Sequence, residues 1–222
     1  MIEQSTIKFL KDLAKNNNKD WFETHRKNYE TAKEDFANFV MKIISMHGKK
    51  DADIAQLKAK DCMFRINRDV RFSKDKSPYK TNMGASINRG GKKSIFSGYY
   101  IHIAPSQSFV GGGLWMPMPE NLKKVRQEID YNFDEFKSIL NNKKFKTVYG
   151  DIDKSEGAAL SRPPKGYDEN NAAIEYLKMK NFIALQYLTD AELTDKNLEK
   201  KILTAFDALQ PLVKFINRSL EE

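Results

Sequence analysis

Cysteine is almost missing from this sequence, with Cys62 alone among 222 residues. An internal disulfide is excluded, and a reducing compartment, the cytoplasm, is the expectation. Histidine is nearly as scarce. His25, His47 and His102 stand far apart with no paired-ligand spacing, so no metal site is expected. Seven prolines and eleven glycines are too few for a linker-rich or low-complexity chain. No apolar run approaches the roughly 20 residues that a membrane span needs. Met1-Ile2-Glu3-Gln4 carries neither the basic nor the apolar stretch of a secretory signal, so no membrane association or export is expected.

What is present is a globular composition, 40% hydrophobic, long enough to bury a substantial core. The formal net charge of +8 favours anionic partners and says little about fold. Its placement is more informative. Between Arg65 and Lys80 six cations (Arg65, Arg68, Arg71, Lys74, Lys76, Lys80) meet two acids, Asp69 and Asp75. The local excess of +4 is half the chain's total.

Hydrophobic periodicity divides the chain into helical ends and a strand-rich middle. Ile7, Leu10 and Leu13 recur at helical spacing, and Asn16-Asn17-Asn18 then reads as a turn. Lys19 to Met46 predicts one long helix or two consecutive ones, stopped at Gly48 by the αL conformation that glycine adopts cheaply. Cys62 to Asn67 alternates as a strand, with Cys62 on its apolar face as inert core. Phe72 to Pro78 reads as a loop. Met83 to Ile87, Tyr99 to Ala104 and Ser108 to Leu114 read as strands, the last two as a hairpin. With no helical crossover between them, they predict an antiparallel sheet. Helical spacing returns at Leu122, Val125, Ile129, Phe133, Phe136 and Leu140. A helix is expected near Ala172 to Lys178, followed by an apolar run from Phe182 to Leu188. The closing stripe of Leu198, Ile202, Ala205, Leu209, Leu212, Val213 and Ile216 is helical, with Pro211 expected to kink or break it. The fold class predicted is α+β: a single domain over 1–222 whose central antiparallel sheet is flanked by N-terminal and C-terminal helices.

Two glycine motifs fail as nucleotide sites. Gly90-Gly91-Lys92-Lys93-Ser94 has Ser86 where a Walker A loop needs glycine and Lys93 where it needs Ser or Thr. Gly111-Gly112-Gly113 has Met116 at the last glycine position of a dinucleotide fingerprint and a hairpin before it. It marks instead a bulge or a close approach to the backbone.

The cationic segment is the candidate site. Three guanidiniums, Arg65, Arg68 and Arg71, suit bidentate grip on phosphate or carboxylate, and Lys74, Lys76 and Lys80 add point charges. Asp69 and Asp75 could orient the arginines, or one could serve as a base if its pKa were raised. Tyr79, Tyr99, Tyr100, His102 and Trp115 follow closely, and aromatics beside cations make a binding surface. The same residues also fit a structural salt-bridge network closing a loop, and the sequence leaves both readings open.

The run from Arg65-Ile66-Asn67-Arg68-Asp69-Val70-Arg71-Phe72-Ser73-Lys74 to Lys80 resembles the signature of DUF2461, a bacterial family of unknown function. Asn16-Asn17 with Asp20-Trp21-Phe22, Gly98-Tyr99-Tyr100, Gly111 to Pro117, Pro164-Lys165-Gly166-Tyr167 and Lys180-Asn181-Phe182 agree in order. One departure is Asn171-Ala172, where the family pattern has a His-Pro pair. The resemblance implies a compact α+β domain and supplies no activity or cofactor. It groups the motifs around one cleft, with the cationic segment on one side and Trp21, Tyr100, Trp115 and Tyr167 on the other. A small anionic ligand, phosphorylated compounds included, is the leading expectation; a nucleic-acid-binding module on the same basic surface and a protein-interaction domain are the alternatives.

Overall fold

The computed structural model describes residues 1–221. Helices α1 (Gln4–Lys15), α2 (Lys19–Thr24), α3 (Arg26–His47) and α4 (Ala59–Cys62) precede strands β1 (Met83–Asn88), β2 (Gly98–Ile103) and β3 (Ser108–Leu114). Then follow α5 (Pro119–Tyr131), α6 (Phe133–Asn141), α7 (Lys143–Tyr149), α8 (Ile174–Leu177), β4 (Phe182–Leu188), α9 (Asp190–Leu193) and α10 (Leu198–Leu220). The strands form one antiparallel sheet in the order β1-β2-β3-β4, so the fold is α+β with helices before and after the sheet. The chain clusters into two compact units. The first comprises Met1–Lys92, Tyr100–Val110 and Tyr187–Thr204; the second comprises Lys93–Tyr99, Gly111–Gln186 and the chain from Ala205 onward.

In the first unit the apolar stripes lie where the spacing puts them. Ile7, Leu10 and Leu13 of α1 and Phe36, Val40 and Ile43 of α3 are at most 2% exposed. Truncating such a leucine to alanine costs about 2–5 kcal/mol. The Lys19–Met46 stretch is two helices. Asn18 caps α2 by accepting from the Trp21 amide at 2.9 Å, and His25 ends it. Gly48 follows α3, but not in the αL conformation expected: its φ is −60°. Glycine is needed there for space, because a Cβ would lie 2.7 Å from the Ile44 carbonyl and 2.8 Å from Ala55 Cα.

The strand expected over Cys62–Asn67 is not continuous. Cys62 ends the short helix α4, and only isolated bridges follow, Met63 with Ala85 and Asn67 with Tyr79. The alternation is real, since Cys62 and Ile66 are buried, but the chain leaves β1 after Phe64 to make a loop of its own. At the β2–β3 hairpin, Ser108 Oγ donates to the Ala104 carbonyl at 2.8 Å and accepts from its amide at 2.9 Å. This closes a turn in which Ser106 takes a φ of 64°.

In the second unit Gly112 has a φ of +152°, and a Cβ there would overlap the Gly98 carbonyl oxygen. What approaches the glycine run is therefore backbone of the sheet itself. Tyr99 stacks on Phe206 of α10 at 4.5 Å. Of the kink or break expected at Pro211, the break does not occur: the helix runs on through it. Pro211 is exposed, while Leu209 and Leu212 on either side are fully buried, so packing outweighs the lost ladder bond.

Candidate functional site

The cationic segment folds as a tied loop in the first unit. Its base is closed by Arg68 N–H to the Pro78 carbonyl at 2.9 Å and Lys80 N–H to the Ile66 carbonyl at 2.8 Å. Between these ties Asp75 accepts from both the amide of Ser77, at 2.9 Å, and its hydroxyl, at 2.6 Å. Arg68 reaches across the loop. One of its terminal nitrogens donates to Asp75 and to the Ser77 carbonyl, and the other to Ser73 Oγ at 3.3 Å. Arg68 is thus a strut, with three of its five N–H groups engaged inside the loop.

The three arginines do not form a common cradle. Arg71 grips Asp69 bidentately, at 3.0 Å through Nε and 2.7 Å through a terminal nitrogen, and remains largely exposed. Arg68 pairs with Asp75. Arg65 is exposed and makes no ion pair among the described residues. The two pairings are local, Arg68 with Asp75 seven residues on and Arg71 with Asp69 two residues back. They also remove either aspartate as a base. Asp69 is lowered by hydrogen bonds from the Arg71 side chain and amide. Asp75 is lowered to about 2, first by the Ser77 hydroxyl and amide and then by Arg68. A general base at neutral pH needs the opposite shift.

A cleft of about 450 Å³ opens beside this loop, lined by Asn17, Arg68, Asp75, Tyr79, Lys80 and Asn82 among others. Asn17, in the turn after α1, supports its floor. Its amide donates to the Tyr79 carbonyl at 2.9 Å and its oxygen accepts from the Tyr79 amide at 3.1 Å, imitating a strand neighbour. This reciprocal pair fixes the orientation of the carboxamide, since a flipped group would set donor against donor. The Tyr79 ring is turned away from solvent and stacks on Phe22 at 3.9 Å. Lys80 sits with Nζ 5.4 Å above the Phe64 ring and has no carboxylate partner among the described residues. Burial, and then repulsion from Arg65, lowers its pKa.

Behind the cleft stands an aromatic–polar row. The Asn82 side-chain nitrogen lies 3.1 Å from His102, and the Tyr100 hydroxyl 3.3 Å from its Nδ1. His102 stacks on Phe109 at 4.6 Å, and burial pushes its pKa down to about 4, so the imidazole is neutral. Gly84 makes room for this row: a Cβ there would overlap the Tyr100 hydroxyl oxygen.

Of the residues singled out in the sequence, Arg68, Tyr79 and Lys80 line the cleft, and Tyr100 and His102 reach it through Asn82. Arg71, Lys74 and Lys76 belong to the outer side of the loop. Trp21 stacks on His25 at 4.1 Å. Trp115 and Tyr167 belong to the second unit, where Trp115 is 61% exposed and Tyr167 is half-buried near Asp130 and Arg126. Sequence reasoning missed Asn17, Asn82, Ser77 and Thr81. Asn17 had a signal, the asparagine run, which read as a turn and as one motif of the family resemblance but did not point to Tyr79. Cys62 is wholly buried and its thiol is pushed up to about 11, far from a thiolate nucleophile. Among the described residues no group of three His, Cys, Asp or Glu side chains is placed to hold a metal ion. No helix is long and apolar enough to cross a membrane among them.

The sequence model of the family described as "Conserved hypothetical protein (DUF2461)" matches residues 5–215, which takes in both units. No curated protein and no solved structure matches the chain. The chain belongs to the DUF2461 family.

Proposed function

We propose that this DUF2461 protein binds a small anionic ligand, of the size of a phosphorylated metabolite, in the cleft between Asn17 and Lys80. The observation that carries the reading is Lys80. Arg68 and Asp75 cancel in charge, so Lys80 leaves the cleft wall with one uncompensated cation that burial and Arg65 both disfavour. An anion placed there offsets that penalty, because an opposite charge restores the protonated form. The two N–H groups that Arg68 does not spend inside the loop, and the exposed Thr81 hydroxyl, supply further donors. The volume falls within the range of small-molecule sites.

The test is a titration with inorganic phosphate and pyrophosphate, followed through the side-chain amide resonances of Asn17 and Asn82. Saturable shifts are expected, weakened about 10-fold or more by Lys80→Met. Binding should also fade with rising pH before an ordinary lysine titrates at 10.5, because the Lys80 pKa lies below that value. Linear, unsaturable shifts, or equal binding by the Lys80→Met variant, would overturn the reading.

A further inference from the structure

The outer side of the same loop presents a different surface. Phe72 is 96% exposed, the most exposed of the large apolar side chains of the described residues. It is not on a slack segment. The turn beneath it is closed by the Ser73 amide to the Val70 carbonyl at 3.3 Å and by Lys76 Nζ to the same carbonyl at 3.0 Å. Arg68 braces the loop from within. A hydrophobic ring is thereby held out in water by a preorganised frame. On one flank the Arg71 guanidinium lies 5.8 Å from the ring centroid, pinned by Asp69. On the other, Lys74 is exposed and has neither a hydrogen bond nor an ion pair. Lys76 and Arg65 also keep their charges free of carboxylates.

We propose that this loop docks single-stranded nucleic acid, with one base stacked on Phe72 and the neighbouring phosphates met by Arg65, Lys74 and Lys76. One free aromatic face beside cations without carboxylate partners is the pairing that sequence-tolerant strand binding uses. A lipid surface fits less well. Phe72 is the lone exposed apolar side chain of the tip, and inserting it would carry the Asp69–Arg71 pair and the Asp75 carboxylate toward anionic headgroups. Phe72, Lys74 and Lys76 do not line the cleft, and Arg65 acts on it only through its repulsion of Lys80, so substitutions at the first three leave the cleft wall intact.

The experiment uses the full chain and fluorescence anisotropy with labelled oligothymidylate and oligouridylate of about 20 nucleotides, at several salt concentrations. Saturable binding is expected. Three phosphate contacts on a single strand predict a log–log salt slope near −2. Phe72→Ala should weaken binding roughly 10-fold or more at fixed salt and leave the slope unchanged. A Lys74→Ala/Lys76→Ala variant should flatten the slope. Both substitutions are at exposed positions, and an unchanged melting temperature together with retained phosphate binding in the cleft separates this surface from the first. Equal binding by Phe72→Ala, equal affinity for the duplex independent of Phe72, or binding to phosphatidylserine vesicles in place of oligonucleotides would overturn the proposal.

Discussion

The inner and outer faces of the Arg65–Lys80 segment use the same residue types to opposite ends. On the inner face Arg68 spends its hydrogen bonds on Asp75, Ser73 and Ser77, and Asn17 clamps the backbone beneath it. On the outer face Arg71 grips its own neighbour Asp69 in solvent and flanks the exposed Phe72 ring, and Lys74 has no hydrogen bond or ion pair. The difference teaches that a cluster of cations in sequence is not a cluster in charge. Where a carboxylate and a carbonyl converge on an arginine, the arginine builds the loop. Where burial leaves a lysine without a counter-ion, as at Lys80, the loop has something to offer a ligand.

The largest expected effect lies behind the cleft, at the half-buried His102 of β2. Its folded pKa of about 4 lies below the ordinary value of 6.5, and burial is the cause. As pH falls below 6.5 the unfolded chain takes up a proton that the folded chain refuses. Stability is therefore full above pH 6.5 and lost progressively down to about pH 4, by on the order of 3 kcal/mol. His102→Phe keeps a ring against Phe109 and removes the titration. Urea unfolding at pH 7 and pH 4.5 should show a much smaller acid loss for the variant. An identical loss in both proteins would assign the acid sensitivity to other groups.

A smaller effect is expected from Asn17→Ala, which removes both ties to the Tyr79 backbone. The cost is about 1–3 kcal/mol, since the Tyr79 amide and carbonyl lose their partners in a half-buried place. Amide exchange at Tyr79 should accelerate while exchange at Ser73, on the outer turn, stays unchanged. Equal acceleration at both sites would show that the two faces are one cooperative unit and break the comparison.

Much of this arrangement was legible in the sequence, for physical reasons. The stripes at Ile7, Leu10 and Leu13 and at Leu209, Leu212 and Ile216 obey the helical period because burial imposes it. The three strands from Met83 to Leu114 were marked by alternation and by the short connections between them, too short for a helical crossover. The exceptions share a cause. Gly48 and Pro211 follow local rules of conformation that tertiary packing overrode. The strand expected at Cys62–Asn67 failed because alternation records burial, not hydrogen-bonded pairing. In the site, nothing in the spacing tells which aspartate Arg68 or Arg71 would choose, or that Asn17 would reach Tyr79, 62 residues away. Those pairings depend on side-chain direction in a folded loop, which composition and spacing do not encode.

The smallest expected effect is the sharpest test of the contrast, and it falls on Arg71. Its bidentate grip on Asp69 looks as strong as any contact in the loop, yet both partners are exposed, the arginine by 76% and the aspartate by 47%. In solvent the attraction is screened, and holding a long side chain in one geometry costs entropy. Arg71→Ala should therefore shift the melting temperature by less than about 2 °C. Asp69, lowered chiefly by the Arg71 hydrogen bonds, should titrate closer to an ordinary carboxylate in the variant. Asp75 should stay low, because Ser77 is the larger cause of its shift and Arg71 takes no part in it. A carboxylate titration in which Asp75 rises together with Asp69 would mean that the loop depends on Arg71 after all, and that the inner face is not held by Arg68 and Ser77 alone.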